Sequence, residues 1–411
     1  MSVPITFLLG SLFINLFLII IFINFIYDFY NNPKREIFKD PLFLLICFFL
    51  LTLFINALFS LDSSNSLPRI LKIFLVIGLI FQTKKFIQNH RLEFENIVMG
   101  FWAIIFLIVL FDIIFEIIFG FNTMGFVSYY PGRIASFFND ELIVGSFFLS
   151  FGLLASSYFL EIFKKHQKKI FFSILILIII SFFIGERANF IKFLISSLIF
   201  VSIIIRPNWK LTLVGILTLV ITITLIINFN SNHSSRYVNT LKTLFQNNGL
   251  NSYLKESQYG SHYNAAYKIF KDYPIFGVGI KNYRNEVANS KYKNDDYKQT
   301  NARWATHPHQ IHFEFLSETG LFGYLSFLIF IISSIFISLK SYLRNKNNYQ
   351  LFDKWSLNNL KDWTQHNAVF SNKSNNYKDN IFKLRKCKDF TLIPLIMLNG
   401  TLHYYNYINF L

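Results

Sequence analysis

Acidic side chains are scarce in this chain, and cysteine scarcer still. Asp and Glu together number 23 against 39 Lys and Arg, which leaves a formal net charge of +16 over 411 residues. In a soluble chain that excess would suggest nucleic acid. Here the basic residues fall in loops between apolar runs, where positive-inside topology explains them, and no nucleic-acid partner is expected. The two cysteines, Cys47 in an apolar run and Cys387 in a basic stretch, imply no disulfide framework. The HExxH pattern is missing, and the lone GVG at 277–279 follows no strand that would support a dinucleotide site. No internal repeat is evident, which lowers the case for an inverted-repeat transporter.

What the chain has in abundance is apolar surface. It is 53% hydrophobic with 52 Phe, beyond what a soluble domain carries, so the expected class is an all-α, polytopic membrane protein. A hydrocarbon core of about 30 Å needs roughly 20 apolar residues per helix. Ten segments qualify as expected spans: 3–26, 41–60, 68–81, 96–121, 142–163, 170–184, 188–205, 211–229, 320–339 and 391–411. The first lacks a cleavage-like site of small residues and reads as retained. The third is short and carries Arg69 and Lys72, as an amphipathic or half-buried helix would. Basic residues cluster in alternate loops, at 27–40, 82–95, 161–169 and 206–210, which assigns those loops to the cytoplasm. By the same alternation the N-terminus and residues 230–309 lie outside, and residues 341–389 inside. The expected organisation is an N-terminal bundle of about eight helices (1–229), a small helical outer subdomain (230–309), and a closing region (310–411). That region holds a re-entry helix, a span, a basic loop and a last span.

The chemistry concentrates in THPHQIHFEFLSETGLFG, residues 306–323, which packs His307, His309, His312, Glu314 and Glu318 directly before an apolar run. Pro308 suits the first turn of a helix. Glu314 and Glu318, one turn apart, share a face. Gly320 and Gly323 leave a bare surface for close helix packing. A zinc site on His307, His309 and His312 is the competing reading, but no cysteine lies nearby. Asp112 and Glu116, a turn apart in the fourth expected span, are intramembrane carboxylates and therefore candidates in their own right.

KDYPIFGVGIKNYR (271–284) followed by ATHPHQIHFEFLSETGLFGYL (305–325) resembles the signature region of the O-antigen ligase and polymerase superfamily of bacterial membrane glycosyltransferases. That family places a His-Asn pair ahead of Glu, Gly and Gly at fixed spacing. His309, Glu318, Gly320 and Gly323 match it, with Gln310 in place of Asn. The likeness is fullest over 258–339, within a ligase-related region of about 186–340. It implies glycan transfer at the periplasmic face of the inner membrane, from an undecaprenyl diphosphate-linked donor to a sugar hydroxyl, without a cofactor or a metal. A ligase would use lipid A core as acceptor, a polymerase another lipid-linked glycan, and the outer block here looks more like the ligase branch.

A departing diphosphate needs cations, and arginine offers a planar fork of donors with a permanent charge. Arg133 and Arg187, at the outer ends of spans, are the candidates for it. His309 is the candidate base and Glu318 its companion in the site. Where family members often carry an arginine before the Pro-x-x-Gly turn, this chain has Ser261 and His262. His262, Arg284, Arg236 and Arg303 are the residues to which that contact could pass. A flippase or transporter for the lipid-linked glycan is the alternative from a different class.

Overall fold

In the computed structural model, residues 3–366 are described except 32–35, 142, 164–165 and 246–248. Among the described residues every regular element is a helix. α1 (Val3–Leu9) and α2 (Ser11–Asn31) meet at Gly10, so the first expected span is two helices. α3 (Pro41–Leu58) starts with Pro41 in its first turn and Asp40 as N-cap, whose Oδ1 accepts from Leu42 N–H at 3.0 Å. α4 (Ser63–Asn89) is capped the same way by Asp62 and runs 27 residues, far longer than the half-buried helix expected at 68–81. A short α5 (Arg91–Glu93) passes through a π turn (Phe94–Val98) into α6 (Met99–Phe119). Next come α7 (Val144–Ile162), α8 (Gln167–Phe183), α9 (Arg187–Phe200) and α10 (Trp209–Phe229).

Among the described residues, seven helices are long and apolar enough to cross a membrane: Ser11–Asn31, Pro41–Leu58, Arg91–Phe119, Val144–Ile162, Arg187–Ile205, Trp209–Phe229 and Ile311–Ile337. α4 and the 17-residue α8 are helices outside that set, and the last expected span lies outside the described residues. Lipid explains the large apolar side chains left exposed. Leu213, Ile216, Leu217, Val220 and Ile221 all face outward on α10.

The spans pack around two apolar cores. One joins α6 to α7, α8 and α9 through Val109, Phe148, Ile174 and Phe193. The other joins α2, α3 and α4 to the last helix through Phe25, Leu53, Ile77 and Phe327. Residues 230–310 hold α11 (Ser231–Phe245), α12 (Leu250–Glu256), α13 (Gln258–Asp272) and α14 (Tyr283–Glu286), none of span length. α13 builds a small core with Val278, Tyr283, Val287 and Tyr292.

Asp112 and Glu116 prove to be moorings. The Asp112 carboxylate accepts from Thr123 N–H at 2.8 Å and from the Ser136 hydroxyl at 2.6 Å. That of Glu116 accepts from the Ala135 and Ser136 N–H groups at 3.0 and 2.6 Å. Both are buried at the end of α6 and spend their lone pairs on backbone and hydroxyl donors of the 120–138 segment, which carries Arg133.

The last helix, α15 (Ile311–His366), is broken at Gly320, whose φ of 61° and ψ of −165° are not helical. The break is sharp. Phe315 stacks on Phe327 with ring centroids 4.1 Å apart, and His312 Nδ1 lies 3.1 Å from the Tyr324 hydroxyl. Residues twelve apart on a straight helix would stand about 18 Å apart. The limb before Gly320 therefore folds back on the limb after it, so the apolar stretch Ile311–Ile337 is not one straight helix. Two expectations change. Pro308 precedes the helix, which starts at Ile311, and Gly320 is a chain reversal rather than a packing surface between helices.

The break is filled by backbone from the PIFGVG loop. Val278 and Gly279 N–H groups donate to the Ser317 and Glu318 carbonyls at 3.0 and 2.7 Å, while Leu321 and Phe322 N–H groups donate to the Pro274 and Ile275 carbonyls at 2.8 and 3.1 Å. Two N–H groups and two carbonyls freed at the reversal thus find their partners in this loop. The same loop is tied on its other side to the α3–α4 corner. Leu61 N–H donates to Val278 carbonyl at 3.0 Å, Ser66 Oγ to Ile280 carbonyl at 2.8 Å, and Asn56 Nδ2 to the Phe276 carbonyl.

Side chains are excluded where the two backbones meet. A Cβ on Gly320 would stand 2.4 Å from Ile275 O, and one on Gly277 2.5 Å from the Glu318 carbonyl carbon, with both residues at positive φ. Gly320→Ala and Gly277→Ala are each expected to lower stability by about 2–4 kcal/mol. In the double variant the two losses should not add, because one junction is broken twice. Thermal unfolding in detergent reads all three, and a wild-type midpoint for Gly320→Ala would overturn the junction's role.

Candidate active site

Two groups of polar side chains gather where α13 and the start of α15 meet the ends of the spans. The first is imidazole. His309 sits in a left-handed turn (φ 59°) just ahead of α15, and the next residue, Gln310, caps that helix. Its Oε1 accepts from Phe313 N–H at 2.8 Å and its carbonyl from Glu314 N–H at 3.0 Å. Gln310, the departure from the usual Asn, thus performs an N-cap's task with one more methylene.

His262 reaches the same place from α13, whose N-cap Ser257 accepts from Gly260 N–H. Its ring centroid lies 5.1 Å from that of His309, and His307 lies 4.3 Å from His309 on another side. Thr306 Oγ1 and His307 Nδ1 are hydrogen-bonded at 2.9 Å. His262 is 3% exposed; the Arg303 backbone holds one side of its ring, and its Nδ1 has no hydrogen-bond partner.

Desolvation pushes all three rings toward the neutral form, with His262 buried, His307 half-buried and His309 at the surface. It lowers His309, and it takes His262 to about 4 and His307 to about 3, with their imidazole neighbours adding to the effect. A neutral imidazole has a lone pair to accept a proton, which is what a base for a hydroxyl requires.

The second group is guanidinium. Arg133 Nη2 is 3.4 Å from Glu186 Oε1, and Glu186 also accepts from Gly145 N–H at 3.1 Å and from Asn189 Nδ2. Arg187 Nη1 donates to the Arg236 carbonyl at 3.2 Å, and Arg236 Nη2 to the Gly185 carbonyl at 3.1 Å. Arg133 and Arg187 are close enough to Arg236 to act on its charge. Tyr259, at the start of α13, links the two groups. It lies within electrostatic reach of Arg236, and its ring stands edge-on to His309 at 6.1 Å.

The expected site residues therefore separate. Arg133 and Arg187 come together, with Arg236 as a third; His262 joins His309. Glu318 is buried against the Lys281 and Tyr283 backbone N–H groups instead of facing His309, and with Glu314 it lines a cavity shared with Arg69 and Arg284. Arg303 is buried behind His262, and His233 is spent on the Phe183 carbonyl at 3.2 Å. His312 turns to Tyr324, away from the other histidines. Among the described residues no three His, Cys, Asp or Glu are grouped to hold a metal ion. Sequence reasoning missed two things. Tyr259 carried no signal, while Arg69 did, as a cation within an apolar run.

These features define a multi-pass, all-helical membrane protein with neutral imidazoles set beside clustered arginines. Residues 171–328 match the family model described as O-antigen ligase, a stretch that takes in Arg187, Arg236, the histidine cluster and both sides of the Gly320 junction. The match supports the O-antigen ligase superfamily, whose members are ligase- or polymerase-type membrane glycosyltransferases, and with the apolar helices it indicates an inner-membrane protein. No curated protein and no solved structure matches the chain.

The buried histidines make stability depend on pH. Their folded pKa values lie below the unfolded value near 6.5, so protons bind the unfolded chain first and acid favours unfolding. Stability is full above pH 6.5 and is lost as pH falls towards 4. Replacing His262 and His307 by Gln should flatten the fall of the unfolding midpoint between pH 7 and 4; a slope equal to wild type would show that these rings are not buried neutral.

Proposed function

We propose that this chain transfers a glycan from an undecaprenyl diphosphate carrier to a sugar hydroxyl at the periplasmic face of the inner membrane. What carries the reading is the imidazole of His309 in its left-handed turn, whose pKa desolvation lowers, linked through Tyr259 to three converging arginines. In the step itself the acceptor oxygen attacks the anomeric carbon and the bond from that carbon to the diphosphate oxygen breaks. The leaving oxygen keeps the electron pair, and Arg133, Arg187 and Arg236 stabilise the resulting anion. His309 accepts the hydroxyl proton, with His262 and His307 fixing its surroundings. Glu318, held by backbone N–H groups, positions the loop that carries Arg284 instead of touching the reacting atoms.

An enzyme accounts for this arrangement better than a transporter, whose site would lie at the membrane midplane between repeats. The histidine cluster belongs to the 258–309 segment, where no helix has span length. Lipid A core as acceptor rests on the resemblance alone. Extension of another lipid-linked glycan is the second reading, and the apolar cavity that Arg69 and Arg284 help to line is compatible with a lipid phosphate.

In cells lacking their own ligase, at equal membrane abundance, His309→Ala should lower transfer by at least about 100-fold, the usual scale for a lost general base. Arg187→Ala should act in the same direction with the protein still inserted. Gel analysis of lipid A core and of lipid-linked glycan reads both products. An active His309→Ala protein would remove the catalytic centre from this position.

A further inference from the structure

The segment that joins α6 to Arg133 is apolar where a solvated loop would be polar. Phe121, Met124, Phe126, Val127, Tyr129 and Tyr130 are 40–77% exposed, and no charged residue occurs between Glu116 and Arg133. A contiguous exposed patch of this kind marks an interaction surface. The loop stands clear of the rest of the protein, since a Cβ on Gly120 or Gly125 would meet nothing within 4 Å.

Its backbone donors have no need of water. Asn122 N–H donates to the Phe126 carbonyl at 2.9 Å, Thr123 N–H to Asp112 Oδ1 at 2.8 Å, and Gly125 N–H to the Asn122 carbonyl at 2.9 Å. Met124 and Phe126 N–H groups both donate to Asn122 Oδ1, at 3.0 and 2.9 Å. Asn122 is itself 1% exposed, and its Nδ2 donates to the Ser136 carbonyl at 2.6 Å. Five successive N–H groups are thus satisfied inside the protein, which is what irregular backbone requires where water is scarce.

The patch also continues the lipid-facing side of α6. Phe111 and Phe119 are exposed on that helix, and the Phe115 ring between them stands 6.4 and 4.4 Å from theirs. Phe121, in the loop, extends the row at 5.7 Å from Phe115 and 6.2 Å from Phe119. Phe and Tyr rings carried past the end of a span match the aromatic level of a membrane–water boundary. We propose that residues 119–130 form a rigid hook that turns back into the lipid at this end of α6, so that the partner of the patch is the bilayer itself. A protein partner would not call for rings continuous with the lipid-facing row. The far end of the same segment is tied to α6 through Ala135 and Ser136, so the inserted hook sets Arg133 at the depth of lipid phosphates. That consequence rests on the function proposed above; the insertion does not.

Nitroxide depth measurements test the hook. The full-length chain with Cys47→Ser and Cys387→Ser, reconstituted in vesicles of phosphatidylethanolamine and phosphatidylglycerol, carries one label at a time at Met124→Cys or Tyr129→Cys. Collisions with oxygen, which concentrates in lipid, are compared with those of a water-soluble nickel chelate. Ile221→Cys, outward on α10, is the lipid standard, and Asp295→Cys, exposed beside Lys293, is the water standard. Both loop labels are expected to shift from the Asp295 ratio toward that of Ile221. Adding Phe126→Asp with Val127→Asp should return the Tyr129 label to the Asp295 ratio and leave the Ile221 label unchanged. The inference is overturned by loop labels that match Asp295 in vesicles holding this chain alone, which would leave the patch to a protein partner. It is overturned equally by a Tyr129 label that stays in lipid beside the two added carboxylates. Depth is read without turnover. Loop labels in lipid with an active His309→Ala protein would remove the function reading alone, and loop labels in water with an inactive His309→Ala protein would remove this inference alone.

Discussion

The backbone junction at Gly320 is the contact on which the site depends. A helix that reverses inside a membrane protein strands N–H and C=O groups, and leaving them unpaired would cost several kcal/mol each. Here the Pro274–Gly279 loop supplies two carbonyls and two N–H groups in register with the break, and nothing larger than hydrogen fits at Gly277 or Gly320. The junction does more than close a ladder. It fixes α13, which precedes the loop, against the limb of α15 that follows His309, and so sets the distance between His262 and His309. Ties from the loop to Asn56, Leu61 and Ser66 then fix both against α3 and α4.

A second set of contacts does the same for the cations. Asp112 and Glu116 are charged groups in a span, a placement that usually marks function, yet their side chains hydrogen-bond to the 120–138 segment. Their effect is to hold Arg133 at Glu186, beside Arg187 and Arg236. Carboxylates support an arginine site here without touching any ligand, which is the common relation between a conspicuous buried charge and the site near it.

Hydropathy made most of the membrane helices legible, because a span of about 20 apolar residues needs no tertiary information. It failed where the determinant is not hydropathy. α4 looked short because its two ends, Ser63 to Ser66 and Gln82 to Lys85, are polar, whereas the helix continues through them; Arg69 within it lines a cavity. The pair of motifs at 271–284 and 305–325 stood out in sequence as two blocks. Their physical reason, a shared set of backbone hydrogen bonds, could not be read from either block, since backbone groups carry no sequence signature. His309 was legible from its spacing. Tyr259 was not, because α13 brings it in from a position no local pattern connects, and Arg236 was legible only as one of several cations to which a contact could pass.

On the proposed reading, the electrostatics of the two groups explain why a base is built from histidines that desolvation pushes toward the neutral form. Among the described residues no carboxylate is hydrogen-bonded to His309 as one is in a Ser-His-Asp triad; imidazoles flank its ring, and guanidiniums act on the neighbouring His307. In that setting desolvation disfavours a proton on His309. A bound diphosphate brings compensating negative charge, and an anion nearby raises the proton affinity of an imidazole. Donor binding would then strengthen the base just when a hydroxyl has to be deprotonated, and a weak base in the donor-free site would leave water and acceptor alike unactivated.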